Sequence, residues 1–233
     1  IPISSYGWYR VSVYSQKSGC SNAEVLSKLR RAVAPLKLRC HYMREAGQVE
    51  GGATFSFHVD NYQLAAELRL RAHRPPAIGV RVDDEPPRVE LTAAYRQKLR
   101  QAILSRYDAH RRCLNLCRFY ADAQWEGEFC ALQQLECLEA VVQIAGQEMP
   151  RLRRLLLDNN RLSELAGLRG VEQLLPRLKS ISLRHNELGW LSELSVLEKL
   201  RELRKLNLKR NPLPLNYEQH VVIMLPQLRK LNR

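Results

Sequence analysis

The sequence predicts a mixed α/β (α+β) chain in which a ferredoxin-like βαββαβ half precedes a short leucine-rich-repeat solenoid. In the first 83 residues, apolar positions alternate between the period of a strand and that of a helix, in the order of a split βαβ unit. In the second half, the pattern Leu-x-x-Leu-x-Leu-x-x-Asn-x-Leu, with Ile181 for one leucine, occurs three times at intervals of 25 or 26 residues. We therefore expect a domain over residues 1–83, a linker with a helix over 84–112 and a repeat domain over 113–233.

Six segments of the first half have strand or helix patterns in turn. Ser21 or Asn22 precedes the first helix as its N-cap, and the strands alternate apolar and polar residues. The predicted elements are a strand over Tyr9–Val13, a helix over Ala23–Val33, strands over Leu36–Tyr42 and Ala53–Phe57, a helix from Asp60 or Asn61 to Leu70, and a strand over Ile78–Val82.

The two faces of this predicted sheet differ in character. Phe55 and Phe57 are in phase with the core, and the outward positions are mostly polar. RNA-recognition motifs share this order of elements and stack bases on aromatic side chains of the two central strands, a platform that is mostly missing here. The outward set is Trp8, Arg10, Ser12, Gly52, Thr54, Ser56 and His58. The first half is therefore interpreted as a divergent RNA-recognition motif.

Cationic residues lie on or near the same face, and we predict that they bind RNA phosphates with little preference among bases. They are Arg10, Lys17, Lys37, Arg39, His41 and Arg44. Trp8 would either stack on one base or cap a core. The alternative for the charges is an ordinary solvated surface.

Each recurring position of the repeat pattern in the second half has a predicted structural role. Leu155 and Leu157 point inward from a short strand, and the amide of Asn160 can satisfy backbone groups of its own and the next coil. Leu228 and Leu231 begin a fourth copy. Because the chain starts at Ile1 and stops within that copy, we expect it to be a piece of a longer protein.

Residues between the inward leucines should form columns across the concave face of the solenoid. The columns are Arg154, Ser180 and Lys205; Leu156, Ser182 and Asn207; and Asp158, Arg184 and Lys209. We predict that Arg154, Arg184, Lys205 and Lys209 form a second surface for RNA or an acidic adaptor protein. The alternative is a solvated face or a packing surface for the other domain.

Composition narrows the functional classes. The formal net charge is +13 and both halves are basic, which favours a polyanionic partner. No apolar run approaches the roughly 18 residues of a membrane helix, so we expect no membrane association. The six cysteines lack paired metal-ligand spacing and predict reduced thiols of the nucleus or cytosol. Without a catalytic constellation, phosphate loop or metal motif, we expect no enzyme, no metal and no cofactor.

The order of the motifs along the chain resembles that of a known protein family. Pro86-Pro87 precedes a helix through Leu99 and Ile103 that ends at Arg106-Tyr107-Asp108, and a degenerate first repeat begins at Cys113. With a divergent RNA-recognition motif before them and three regular repeats after them, these motifs resemble the nuclear RNA export factor family, the Tap-like mRNA export receptors. The resemblance covers essentially the full chain.

The resemblance implies a region that engages single-stranded or structured RNA and export adaptor proteins without strict sequence choice, in a protein that shuttles between nucleus and cytoplasm. It implies RNA contacts at Arg10, Lys37 and Arg39. It also implies two domains absent from these 233 residues, one for a small nuclear-transport-factor-like partner and one for nucleoporins. The degenerate segment Cys117–Asp122 departs from better-known members and leaves open a bulk mRNA exporter or a paralogue with a narrower RNA-related or silencing task.

A second hypothesis stays open beside RNA binding. The repeats and the divergent motif could form a protein-interaction scaffold whose basic face binds acidic partner proteins. RNA binding should weaken linearly in log affinity with log salt, and unrelated RNAs should compete with one another. A scaffold would keep its partner despite excess RNA.

Overall fold

The computed structural model describes residues 3–4, 7–15, 21–45, 54–71, 78–87, 89–125 and 130–232. These residues form two compact units. The first unit contains the described residues up to Pro87, and the second contains those from Val89 onward. Among the described residues, no helix is both long and apolar enough to cross a membrane.

The first unit is an antiparallel sheet with two helices on one face. Its elements are β1 (Tyr9–Ser15), α1 (Asn22–Ala32), β2 (His41–Glu45), β3 (Phe55–Val59), α2 (Tyr62–Arg71) and β4 (Ile78–Asp83). The strand order is β2-β3-β1-β4. The predicted βαββαβ order is therefore present, and its interpretation as an RNA-recognition motif stays a prediction.

Local sequence explains why α1 begins and how it packs. The Ser21 hydroxyl accepts from the Glu24 amide while the Glu24 carboxylate accepts from the Ser21 amide, so two backbone donors are satisfied at the helix start. Leu29 is 2% exposed and packs in the same apolar cluster as the inward residues Val11 and Phe57 of the sheet. The helical and strand periodicities thus meet in one core.

The second strand differs from its prediction. We expected it over Leu36–Tyr42, but the strand begins at His41, and residues 37–40 before it belong to no strand or helix. The pairs of β2 with β3 run from Glu45, opposite Phe55, to His41, opposite His58, so only Val59 of β3 lies beyond them. A bulge lies between His41 and Arg44, with Tyr42 at a φ of 52°.

The second unit is a stack of coils around one apolar core. Its strands are β5 (Tyr107–Asp108), β6 (Cys113–Asn115), β7 (Arg154–Leu156), β8 (Ser180–Ser182), β9 (Lys205–Asn207) and β10 (Lys230–Leu231). β5 and β6 form an antiparallel hairpin, and the later strands add in parallel, one for each repeat. The three predicted repeats and the start of the fourth are all present.

Four helices of the described residues pack into the apolar core of this stack. They are α3 (Ala93–Ser105), α4 (Leu135–Glu148), α5 (Val171–Leu174) and α6 (Tyr217–Met224). The predicted linker helix, α3, lies in the same unit as the repeats, with Leu99 and Ile103 fully buried and Arg100 Nε 2.6 Å from Glu148 Oε1. The domain boundary that we predicted at residue 113 stays a prediction.

The repeat asparagines bond backbone groups of their own coil, as predicted, but the other coil that they bond is the preceding one and not the next. Asn160 is 1% exposed; its side-chain oxygen accepts from the Phe119 amide at 2.9 Å, and its side-chain nitrogen donates to the Leu116 and Leu157 carbonyls. Asn186 repeats the arrangement one coil later, accepting from the Asn160 amide at 3.0 Å. These buried amides fasten successive coils to one another.

Candidate nucleic-acid interface

In the first unit, Arg10 occupies the middle of the sheet face that lacks helices. It stands opposite His58 on β3 and Asp83 on β4. Its guanidinium lies 3.0 Å from Glu85 Oε2 and 3.6 Å from Asp83 Oδ2, with 24% of the side chain exposed. Two carboxylates therefore already compensate the charge of Arg10, the residue that we expected to contact phosphate.

The prediction that Trp8, Ser12, Ser56 and His58 are exposed on this face is wrong. Trp8 is 1% exposed, and the other three are also buried. For Trp8 and His58 the physical reason is the bulge at Tyr42, which places the Tyr42 ring 5.7 Å from Trp8 and 6.4 Å from His58. Trp8 also meets His41 edge to face at 5.4 Å. Of the two roles considered for Trp8, the observed one is packing.

His58 is a buried neutral imidazole in this cluster. Burial lowers its pKa to about 3, and the positive charges of Arg10 and Arg44 act in the same direction. Neither ring nitrogen has a hydrogen-bond partner among the residues that the structure describes. The His58 side chain therefore carries no charge at neutral pH.

The other predicted phosphate contacts of the first unit occupy different positions. Lys37 and Arg39 are exposed in the irregular segment before β2, and Arg44 is exposed on β2 opposite Ser56. His41 is half-buried beside Trp8, and Lys17 lies outside the described residues. The accessible cations thus follow the β2 edge of the sheet, away from its centre.

In the second unit, the structure confirms the predicted columns. Arg154, Ser180 and Lys205 are direct neighbours across β7, β8 and β9, and Lys230 on β10 extends this first column. Leu156, Ser182 and Asn207 form the second.

A third column of Asp158, Arg184 and Lys209 lies just past the strands. The amide of Asn159 donates to the Arg184 carbonyl at 2.9 Å, and that of His185 donates to the Lys209 carbonyl at 3.0 Å. The Asp158 carboxylate accepts from the Arg184 amide at 2.9 Å. Positive charge therefore increases along this column toward the later repeats.

A further row of cations, absent from the predicted site residues, lies at the rim where the strands begin, and we call it the leading row. Its members are Arg112, Arg153, Lys179, Arg204 and Arg229. The sequence signal was available, because the residue after the first leucine of each regular repeat is Arg or Lys, as in Leu152-Arg153 and Leu178-Lys179. We had assigned the leucines and the strand residues but not this position.

Hydrogen bonds of the backbone fix the leading row. The carbonyl of Arg112 accepts from the amides of Arg153 and Arg154 at 3.0 and 3.1 Å, and the carbonyl of Arg153 accepts from those of Lys179 and Ser180 at 2.8 and 3.0 Å. The Lys179 and Arg204 carbonyls repeat this double acceptance with the next coils. Each member of the row therefore has the same backbone position in its coil.

The described residues contain no group of three or more His, Cys, Asp or Glu side chains placed to hold a metal ion. The five cysteines among them are unpaired. Burial raises the pKa of Cys40 to about 11 and also raises those of Cys113 and Cys117, so these thiols are protonated at neutral pH.

Comparisons with known proteins agree with the repeat architecture. The sequence family described as the NXF1/2/3/5 leucine-rich repeat domain matches residues 104–231. Nuclear RNA export factor 1 of Drosophila melanogaster is 30% identical over 219 residues, which cover 92% of this chain and 32% of that protein. The probable U2 small nuclear ribonucleoprotein A' of the same organism is 38% identical over 86 residues, 36% of this chain and 32% of that protein.

A solved structure shows the same fold. The structure titled Chaetomium Mex67:Mtr2 subunits superposes with a TM-score of 0.50 at 23% identity, over 58% of this chain and 88% of the matched one. The chain spans about a third of the length of the curated relatives that it matches. Because the matched domain covers more than half of its residues, the chain belongs to the NXF1/2/3/5 family of nuclear RNA export factors.

Proposed function

We propose that this chain is the RNA-binding region of a nuclear RNA export receptor and contacts RNA phosphates with little preference among bases. The export role is supported by the similarity to nuclear RNA export factor 1, which covers 92% of this chain. The observation that best supports RNA binding is the set of exposed cations in the first and third columns. Arg154, Lys205 and Lys209 are exposed, and none of them is within ion-pair distance of a carboxylate of the described residues.

The chemistry of these columns favours backbone contacts over base readout. Lysine and arginine side chains on a concave sheet offer charge and hydrogen-bond donors to phosphate oxygens, which position RNA without reading its sequence. Trp8 and Tyr42 pack against each other in the first unit, so they do not supply a free stacking platform. Lys37, Arg39 and Arg44 would add phosphate contacts from the first unit.

The wider assembly belongs to the same proposal. An export receptor of this kind would engage export adaptor proteins, and other domains of the full protein would bind a small nuclear-transport-factor-like partner and nucleoporins. Such a protein would shuttle between nucleus and cytoplasm. The Chaetomium structure is titled as a pair of Mex67 and Mtr2, which supports the expectation of a partner protein.

A second candidate function has its own observation. Trp190 is 73% exposed, Leu215 is 94% exposed and Ile223 is 80% exposed, all in the second unit. Exposed large apolar side chains are typical of protein-binding surfaces. This favours a protein-interaction scaffold, as in a paralogue with a narrower RNA-related or silencing task whose basic face binds acidic partners.

Fluorescence anisotropy with a labelled single-stranded RNA across a salt series tests the proposal. The column variant, Arg154→Gln/Lys205→Gln/Lys209→Gln, should lose affinity and salt dependence. The matched control variant, Arg96→Gln/Arg169→Gln/Lys199→Gln, removes the same charge from exposed residues outside the sheet and should retain both. Equal losses in the two variants would indicate non-specific attraction. Absence of RNA binding by the unmodified chain would favour the scaffold.

A further inference from the structure

The leading row has the geometry of a continuous track. Its five members sit at one backbone position in consecutive coils, held by the paired amide-to-carbonyl bonds of 2.8–3.1 Å. Neighbouring strands lie about 4.8 Å apart, so the row spans about 19 Å along the solenoid. The direction of the row crosses the strands.

The charges of the row lie at closely spaced backbone positions. The backbone positions of adjacent members are about 4.8 Å apart, which is less than the electrostatic screening length of about 8 Å at physiological ionic strength. Lys179 lies 3.5 Å from Glu202, and both side chains are about half exposed. The other four members have no carboxylate within ion-pair distance in the described part of the chain. A single anion would leave most of this charge uncompensated, whereas a polyanion would match it.

The surroundings favour a nucleic-acid backbone over an acidic protein. The adjacent first column continues the positive charge with Arg154, Lys205 and Lys230 and offers no large apolar side chain. Protein interfaces usually need an apolar anchor in a desolvated centre. Four of the five members of the row are arginines, whose planar forks suit bidentate contacts with phosphate.

We propose that the leading row is a phosphate track on which the sugar-phosphate backbone of single-stranded RNA lies across the repeat strands. This inference rests on the proposed function, because it specifies where and how the RNA is held. Arg204 is the most constrained member, since its guanidinium donates to the Arg201 carbonyl at 2.6 Å and the Leu203 carbonyl at 3.2 Å. Arg153, Lys179 and Arg229 are exposed and supply the accessible contacts.

The test uses the whole chain and a labelled 20-nucleotide polyuridine across a salt series. The row variant is Arg153→Gln/Lys179→Gln/Arg229→Gln, and the control is the Arg96→Gln/Arg169→Gln/Lys199→Gln variant. Each contact with a single strand contributes about 0.7 to the slope of log affinity against log salt. We expect the row variant to lower that slope by about 2 and the control to leave it unchanged, with thermal unfolding of both matching the unmodified chain.

The outcomes separate this inference from the proposed function. If the unmodified chain binds the RNA and the row and control variants behave alike, the track is overturned while RNA binding stands. If the unmodified chain does not bind, both fail. A polyglutamate of equal charge that displaces the RNA as well as unlabelled polyuridine does would reassign the row to acidic proteins and also overturn the track.

Discussion

The guanidinium of Arg106 and the carboxylate of Asp122 are joined at one oxygen, with both Nε and one terminal nitrogen 2.7 Å from Oδ2. Arg106 also donates to the Cys117 carbonyl at 3.0 Å and lies over the Phe119 ring at 5.3 Å. The arginine of the Arg-Tyr-Asp signature thus fastens the end of α3 to the degenerate first repeat. Its role is structural.

Replacing this arginine should destabilise the second unit. Arg106→Lys keeps a positive charge but cannot make the same set of hydrogen bonds, and hydrogen bonds to charged groups contribute about 1.5–3 kcal/mol. We expect a loss of about 2 kcal/mol in urea unfolding. Arg111→Lys is the control, because Arg111 pairs with Asp108 at 3.7 Å and is largely exposed. It should cost less than about 0.5 kcal/mol, and equal losses would contradict the assignment.

Removing the buried amide of Asn160 should cost more than removing an amide near the solvent. Asn160→Ala leaves the Phe119 amide and the Leu116 carbonyl without their buried partner, at about 1–3 kcal/mol for each unsatisfied group. Asn211 makes equivalent bonds to Leu183 and Leu208 but is half-buried. Asn211→Ala should therefore be milder in the same unfolding experiment, and the reverse order would contradict this account.

Gly167 should not tolerate a methyl group. A Cβ at this position would lie 2.7 Å from the Leu138 Cβ of α4. Gly167→Ala should therefore overpack the core and lower the free energy of unfolding by about 1–3 kcal/mol. Gly189→Ala is the matched control, because no atom lies within 4 Å of its Cβ position. Calorimetry should show a lower Tm for the first variant alone.

The stability of the first unit should fall with acid because of His58. Its pKa is about 3 in the folded unit and about 6.5 when unfolded, so between these values the unfolded state binds the extra proton. Stability should decrease as pH falls through this window, by up to about 1.4 kcal/mol for each pH unit. Urea unfolding, followed by the amide signals of Val11 and Phe57, measures this.

His58→Gln should flatten that pH dependence, whereas His220→Gln in the second unit should leave it unchanged. The ring proton signals of His58 provide a direct check, because they should keep their neutral positions down to about pH 4. A midpoint near pH 6 for these signals would show that the imidazole is accessible to protons in the folded unit.

The two halves of the chain differed in how well sequence reasoning predicted them. The repeat columns followed from the spacing of Leu155, Ile181 and Leu206, because each coil sets the register of the next. The outer face of the first sheet did not follow, because alternation cannot locate a bulge. One residue with positive φ, Tyr42, places an aromatic ring beside Trp8 and His58, two residues that were expected to be exposed.

The paired hydrogen bonds behind the leading row have a consequence for how such proteins diverge. The carbonyls of Arg112 and Arg153 hold each coil to the next through backbone hydrogen bonds. These bonds do not depend on the identity of the side chains, except that proline at a donor position would remove the N–H. A substitution at Arg153 or Arg229 can therefore change what the rim attracts without altering how the coils stack. Related chains can therefore differ in the charge of this rim and still stack their coils in the same way.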